Sequence, residues 1–225
     1  MIKKHVPNFI TCLNLFAGSL AVYYALNGAH ATSFYLILLA AVFDFLDGLA
    51  ARVLKAYSPM GKELDSLADM VSFGLAPGAT VFCLLQYTQT HTWLSFVAFT
   101  IPVFSALRLA KFNIDERQTT SFLGLPTPAN ALLWMGLAFS FYKNATFVDA
   151  WVIVALIVLM NFLLVSEIPM FSLKFKNFKV ADNQLVYAFL LLSFAFLLLL
   201  GFEAFAPIIA VYILLSVVKF ALRSN

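Results

Sequence analysis

Eight apolar stretches, each close to the length a helix needs to cross a lipid bilayer, follow one another along this chain of 225 residues. They lie near residues 8–27, 32–54, 64–87, 93–112, 127–143, 148–166, 184–201 and 204–222. A bilayer core about 30 Å thick takes about 20 residues of helix. Backbone N–H and C=O groups find no water there, so each stretch must satisfy them internally, as a helix. The expected fold is an all-α polytopic membrane helix bundle of about eight transmembrane helices. Composition agrees: 63% of the residues are hydrophobic and 11% charged, against about half and a quarter in a soluble domain. The first stretch follows the pair Lys3 and Lys4. It is too long for a signal peptide and has no small-residue cleavage site after it, so it reads as a retained helix.

Charge sets the expected orientation. With the N-terminus inside, Lys3, Lys4, Arg52, Lys55, Lys62, Arg108, Lys111, Arg117, Lys174, Lys176, Lys179, Lys219 and Arg223 share one side, and Lys143 stands alone on the other. The positive-inside rule then makes both termini cytoplasmic. A net charge of +3 does not call for nucleic acid as a partner, because the basic residues sit at span ends and in short loops. Cys12 and Cys83 lie in apolar runs without metal-ligand spacing, and the three His are dispersed. The last two stretches read as a hairpin without chemistry, packed on the core or on a partner subunit.

Against this background the acids are unevenly placed. Five of the eleven fall between residues 44 and 69: Asp44, Asp47, Glu63, Asp65 and Asp69. Ionisable groups at the edge of a membrane span are costly and mark function by default. Asp44 and Asp47 are three apart and share a helix face with Gly48, Ala51 and Arg52. Gly61, Asp65, Asp69 and Ser72 follow at intervals of four, four and three on the next helix, and Glu63 falls off that face. Ser58 and Pro59 read as its N-cap and first-turn residue. Two antiparallel helices would thus face four carboxylates, with small residues leaving room beside them. Clustered anions repel, and divalent cations remove the repulsion. All-oxygen ligands suit Mg²⁺ or Mn²⁺. Two ions about 4 Å apart would clamp a pyrophosphate. Intramembrane salt bridges to Arg52, Lys55 or Lys62, or an acid-lined path for a divalent-cation transporter, are the competing readings of the same acids.

The full pattern reads D-x-x-D-G-x-x-A-R, eight residues, then G-x-x-x-D-x-x-x-D, filled by Asp44, Asp47, Gly48, Ala51, Arg52, Gly61, Asp65 and Asp69. This resembles the signature of the CDP-alcohol phosphotransferase family at every fixed position. The resemblance implies a six-helix catalytic core, here residues 1–180, with a C-terminal helix pair at 181–225. It implies a homodimer in the bacterial inner membrane with its site facing the cytoplasm. By position, Asp44, Asp47, Asp65 and Asp69 would hold two metal ions, with Asp69 also the general base. Gly48, Ala51, Arg52 and Gly61 would contact the CDP donor. The segments PNFITCLNLFAG, ELDSLADMVSFGLAPG, SALRLAKFNI, SFLGLPTPANA and VSEIPMFSLK resemble bacterial phosphatidylserine synthases. They imply CDP-diacylglycerol as donor and L-serine as acceptor, with membrane lipids around; glycerol 3-phosphate and inositol stand as the rival acceptors.

Other polar residues carry two readings each. Asn8, Thr11 and Asn14, at helical spacing along the first span, either reach the nucleotide or bond a neighbouring helix; Asn8 and Thr11 are assigned to the donor. Arg108 is a cation for the serine carboxylate or a positive-inside anchor, the second being the reading for Lys111. Ser72 touches the acceptor or bonds its own helix. Glu167 meets the serine ammonium or pairs with Lys174, and the second, structural reading is the one taken.

Overall fold

The computed structural model describes residues 5–88, 92–115, 122–144, 148–171 and 183–223. Lys3, Lys4, His91, Arg117, Lys174, Lys176 and Lys179 lie outside the described residues. The helices are α1 (Val6–Leu26), α2 (His30–Val53), α3 (Pro59–Asp69), α4 (Ala76–Tyr87), α5 (Thr100–Ile114), α6 (Thr127–Asn144), α7 (Ala150–Val165), α8 (Gln184–Leu200) and α9 (Phe205–Arg223). A π-helical segment, Met70–Leu75, joins α3 to α4 in one 29-residue rod, Pro59–Tyr87. A 3₁₀ segment, Thr92–Phe99, leads into α5. Two short strands, β1 (Phe122–Leu123) and β2 (Pro169–Met170), pair antiparallel with Phe122 opposite Met170. The fold is an all-α membrane helix bundle, and the eight apolar stretches coincide with eight rods among the described residues. Two rods are marginal by hydropathy or length. With 16 residues, α7 rises only about 24 Å. Helix α6 earns its place differently: Thr127, Asn130, Ala131, Leu133, Trp134, Met135, Gly136 and Ala138 are all buried, so it runs through the interior of the bundle.

Local chemistry sets the joints around the acids. Helix α2 ends with Lys55 at φ 50°. The Ala56 N–H donates to Ala51 O at 2.9 Å and the Lys55 N–H to Arg52 O at 3.2 Å, the two bonds of a Schellman cap. Helix α3 starts as its sequence indicates: the Ser58 hydroxyl oxygen accepts the Gly61 N–H at 3.0 Å, with Pro59 following. The π segment has its cause in Pro77, which lacks an N–H and whose ring would crowd the carbonyl of Phe73 in a regular helix. Pro102 likewise cannot donate to Ala98 O, which favours the tighter 3₁₀ turns before α5.

Two apolar cores flank α6. Phe34, Ile37, Phe73 and Ala76 pack with its Ala131 and Met135 on one side. Ile101, Leu125, Ile157, Met160 and Tyr212 pack with its Leu133 and Trp134 on the other. The last two helices do form a hairpin: Gly201 breaks the run at φ 59°, and the rings of Phe189 and Tyr212 meet at 6.0 Å across it. Helix α9 docks on α6 at Gly136, where a Cβ would come within 2.6 Å of Ala206 N. The hairpin turn is latched by Glu203, which accepts from Lys143 Nζ at 2.6 Å and from Ser140 and Asn144. At the other end of α9, the Tyr212 hydroxyl donates to Phe171 O at 3.1 Å, and Ser216 Oγ accepts the Phe171 N–H at 3.3 Å.

Candidate active site

The Schellman turn and the Ser58 cap fold α3 back beside α2, and this brings the acids together. One carboxylate oxygen from each of Asp44, Asp47 and Asp65 lies within 4.8 Å of the others. Asp69, one turn beyond Asp65, completes the set, and Asp44 is within hydrogen-bonding reach of both Asp65 and Asp69. Helix α1 supplies the neutral partners. Thr11 Oγ1 donates to Asp47 Oδ2 at 2.6 Å, and Asn14 Nδ2 donates to Asp69 Oδ1 at 3.2 Å. Asp47 and Asp69 are both buried, and Asp65 Oδ1 is buried with no hydrogen-bond partner.

The salt-bridge reading of these acids fails on geometry. None of the four makes an ion pair with Lys or Arg among the described residues. Lys62 Nζ donates instead to Asn113 O at 2.7 Å, and Arg52 and Lys55 are exposed. Each close pair of carboxylates costs about 3 kcal/mol at an effective dielectric of about 20 when ionised at 4.8 Å. Thr11 and Asn14 offset little of that. Oxygens of three Asp converge, Asp65 Oδ1 is buried and unpaired, and no Cys or His joins the group among the described residues, which makes it the donor set of a hard divalent cation. The residues present therefore fit a divalent metal.

Beside the acids a cavity of about 210 Å³ opens between α1, α2 and α3. Asn8, Thr11, Asp47, Gly48, Ala51, Gly61 and Asp65 line it, together with Pro7, Lys62 and the connecting residues Ala56, Tyr57 and Ser58. Gly48 leaves open space, with nothing within 4 Å of where a Cβ would stand. At Gly61 a Cβ would meet Asn8 Oδ1 and Ser58 Oγ, each at 3.0 Å. Five of the six residues read from the sequence as donor contacts thus line one cavity. The sixth, Arg52, is exposed and does not line it. Lys62 was read from the sequence only as a possible ion-pair partner, and Tyr57 was not singled out; its signal is its place in the connection between the two halves of the acid motif.

The residues read as acceptor contacts part company. Ser72 is fully buried, and its hydroxyl donates to Asn14 O at 3.0 Å rather than to its own helix. It meets α1 at Gly18, where a Cβ would stand 2.1 Å from Ser72 Oγ. Arg108 is 6% exposed, lies over the Phe112 ring at 5.0 Å, and has its Nε without a hydrogen-bond partner. It is within electrostatic range of Asp69. Lys111, one turn on, donates to Val165 O at 3.4 Å and pairs with Glu167 at 3.3 Å. Glu167 therefore has a partner on α5, whereas Lys174 lies outside the described residues. Asn14 proves more central than its sequence suggested, since it joins Asp69 to Ser72.

Comparison with known proteins agrees with the site. Residues 4–162 match the model of the CDP-alcohol phosphatidyltransferase family. A Bacillus subtilis protein named CDP-diacylglycerol–serine O-phosphatidyltransferase is 36% identical over 138 residues, 61% of this chain and 77% of its own. Its Helicobacter pylori namesake is 28% identical over 221 residues, 95% of this chain and 90% of its own. The one from Mycobacterium tuberculosis is 32% identical over 230 residues, 96% of this chain and 74% of its own. With 159 of 225 residues covered by the family model and the signature acids converged beside a cavity, the chain belongs to the CDP-alcohol phosphatidyltransferase family, whose members are enzymes.

Proposed function

We propose that this protein transfers the phosphatidyl group of CDP-diacylglycerol to the hydroxyl of L-serine, giving phosphatidylserine and CMP. The observation that carries the reading is the convergence of Asp44, Asp47 and Asp65, with Asp69 one turn beyond, beside a cavity lined by Asn8, Thr11, Gly48, Ala51 and Gly61. The relatives aligned over nearly the whole chain, each named for that reaction, support serine as acceptor.

In this reading the cavity takes the CDP portion of the donor, and the acyl chains stay in lipid. Gly48 and Ala51 let the nucleotide approach the backbone of α2, and Asn8 and Thr11 bond it from α1. Arg52, exposed one residue beyond Ala51, meets it at the mouth. Two divalent cations, Mg²⁺ or Mn²⁺, held by the four Asp, would neutralise the carboxylates and polarise the donor pyrophosphate. Asp69, oriented by Asn14, accepts the proton of the serine hydroxyl. The serine oxygen forms a bond to the lipid-bearing phosphorus, and the bond from that phosphorus to the CMP oxygen breaks. Positioning and charge stabilisation supply most of the rate, as in other phosphoryl transfers. Arg108 receives the serine carboxylate. Ser72 reaches the acceptor only if its bond to Asn14 O opens, so its contribution in the resting geometry is to hold α1 against the π segment.

Residues 1–180 form the catalytic core in this proposal, and 181–225 the added helix pair. The enzyme is a homodimer in the bacterial inner membrane with its site on the cytoplasmic side. The basic residues gathered at one set of span ends support that orientation. The test is purified protein with CDP-diacylglycerol and Mn²⁺ or Mg²⁺, offered serine, glycerol 3-phosphate or inositol singly. CMP release with serine alone is expected. Release only with glycerol 3-phosphate, or cation transport without CMP release, would overturn the assignment.

A further inference from the structure

Helix α3 faces two ways. Asp65 and Asp69 turn toward α2 and α1. The neighbouring stripe, Lys62 and Ser66, meets the last turn of α5. The contact is a closed ring of three hydrogen bonds through Asn113. Lys62 Nζ donates to Asn113 O at 2.7 Å, Asn113 Nδ2 donates to Ser66 Oγ at 2.9 Å, and Ser66 Oγ donates to Lys62 O at 3.3 Å. The main chain and the side chain of one asparagine are thus both engaged by α3. Asn113 O is among the last carbonyls of α5, which a helix leaves without donors of its own. Lys62 therefore caps α5 from a neighbouring helix, with its charge at the negative end of the helix dipole.

The ring touches both halves of the site without belonging to either substrate cavity wall through Asn113. Ser66 follows Asp65 directly and precedes Asp69 by three residues, so it shares a turn with two of the carboxylates. Lys62 lines the donor cavity, and neither Ser66 nor Asn113 does. On α5, Arg108 lies five residues before Asn113, about 7.5 Å along the helix. Arg108 Nε has no hydrogen-bond partner. The guanidinium rests on the ring of Phe112, the residue just before Asn113. Its place is therefore tied to the last turn of α5. Lys111 fixes the same turn on its other side, through Val165 O and Glu167. Farther along, α5 meets the rod of α3 at Gly74 by packing alone, since Ser105 Oγ has no partner there. Packing permits sliding; the directional bonds at Asn113 do not.

We infer that Asn113 is a positioning residue for the transfer: with Lys62 and Ser66 it braces the last turn of α5, and so Arg108, against the carboxylate-bearing helix α3. This rests on the proposed reading in which Arg108 receives the serine carboxylate. Asn113 acts through Arg108 and touches neither substrate. Loss of the Asn113–Ser66 bond leaves the four Asp and the donor cavity in place and lets the end of α5 shift. The effect falls on the acceptor side.

The test is a double-mutant cycle on the full chain in lipid–detergent micelles. CMP release is measured with serine and CDP-diacylglycerol varied separately, and Tm in the same micelles. The cycle uses Ser66 and Asn113, which stand outside the donor cavity. Ser66→Ala and Asn113→Ala should each raise the KM for serine roughly 3- to 10-fold, the scale of one hydrogen bond. The KM for CDP-diacylglycerol should stay within about twofold. The double variant should match the single ones, because each removes the same bond. A bond that only holds the fold together would lower Tm and kcat at constant KM, and that result overturns the brace. So does a double variant in which the two effects multiply, or a rise of both KM values together. Ala suits a helix better than Ser, so Ser66→Ala carries the KM comparison if Asn113→Ala does not fold. If the wild-type chain releases CMP only with another acceptor, the serine reading fails, and the same cycle on that acceptor's KM decides the brace.

Discussion

Replacing Gly18 by Ala probes how α1 holds the catalytic carboxylates. A Cβ at this position would stand 2.1 Å from Ser72 Oγ and 2.7 Å from Ser72 Cα. The hydroxyl can rotate away; the backbone cannot. Ordinary contact begins at 3.4 Å, so α1 and the π segment must part by the difference, 0.7 Å. Two interhelix bonds of α1 lie in the path: Ser72 to Asn14 O at 3.0 Å and Asn14 to Asp69 at 3.2 Å. The same displacement would stretch them to about 3.7 and about 3.9 Å, beyond the length at which either counts as a bond. A misplacement near 1 Å costs roughly 100-fold in rate, so Gly18→Ala should lower kcat for CMP release by about 10- to 100-fold. The KM for serine should move less. The assay is CMP release at saturating substrates, alongside thermal unfolding in the same micelles. Gly48→Ala is the internal contrast. Nothing lies within 4 Å of its added Cβ, and Ala is favoured over Gly in a helix by about 1 kcal/mol, so the fold should gain stability while the KM for CDP-diacylglycerol rises. Full kcat in Gly18→Ala would refute the argument that α1 must sit at glycine distance for Asp69 to work.

Three further outcomes follow from the same geometry. Asp47→Asn removes one charge from the converged set, so the metal-free protein should become more heat-stable by roughly 1–3 kcal/mol while losing activity; a fall in Tm under EDTA would contradict the repulsion argument. Ser58→Ala deletes the α3 cap and should cost about 1 kcal/mol, read as a lower Tm; an unchanged Tm would show that the cap bond to Gly61 contributes little. Tyr212→Phe removes the bond from α9 to Phe171 O and should lower Tm by the worth of one buried hydrogen bond, about 1 kcal/mol; equal stability would mean the hairpin is held by its apolar face and the Glu203 latch alone.

Much of this fold is legible in the sequence because a bilayer leaves few choices. A run of about 20 apolar residues has only the helix open to it. The acid motif was legible because helical spacing alone puts Asp44 with Asp47 and Asp65 with Asp69. Two things were not. The π segment at Met70–Leu75 answers to Pro77, but a proline can be accommodated by a kink, a break or a π turn, and its presence alone does not say which. Arg52 shows the limit of reading a role from a face: it follows Ala51 directly, yet 100° of helical rotation takes it from the cavity wall to the exposed surface.

The central claim is that Asp69 takes the proton of an acceptor hydroxyl beside a metal-binding set of carboxylates, and Asp69→Asn tests it most directly. The substitution keeps the size of the side chain and leaves Asp44, Asp47 and Asp65 in place. With CDP-diacylglycerol, serine and Mn²⁺ at saturation, CMP release should fall by roughly 100- to 10,000-fold, the span of general-base contributions, while added Mn²⁺ still raises Tm. CMP release at the wild-type rate in that variant would contradict the account.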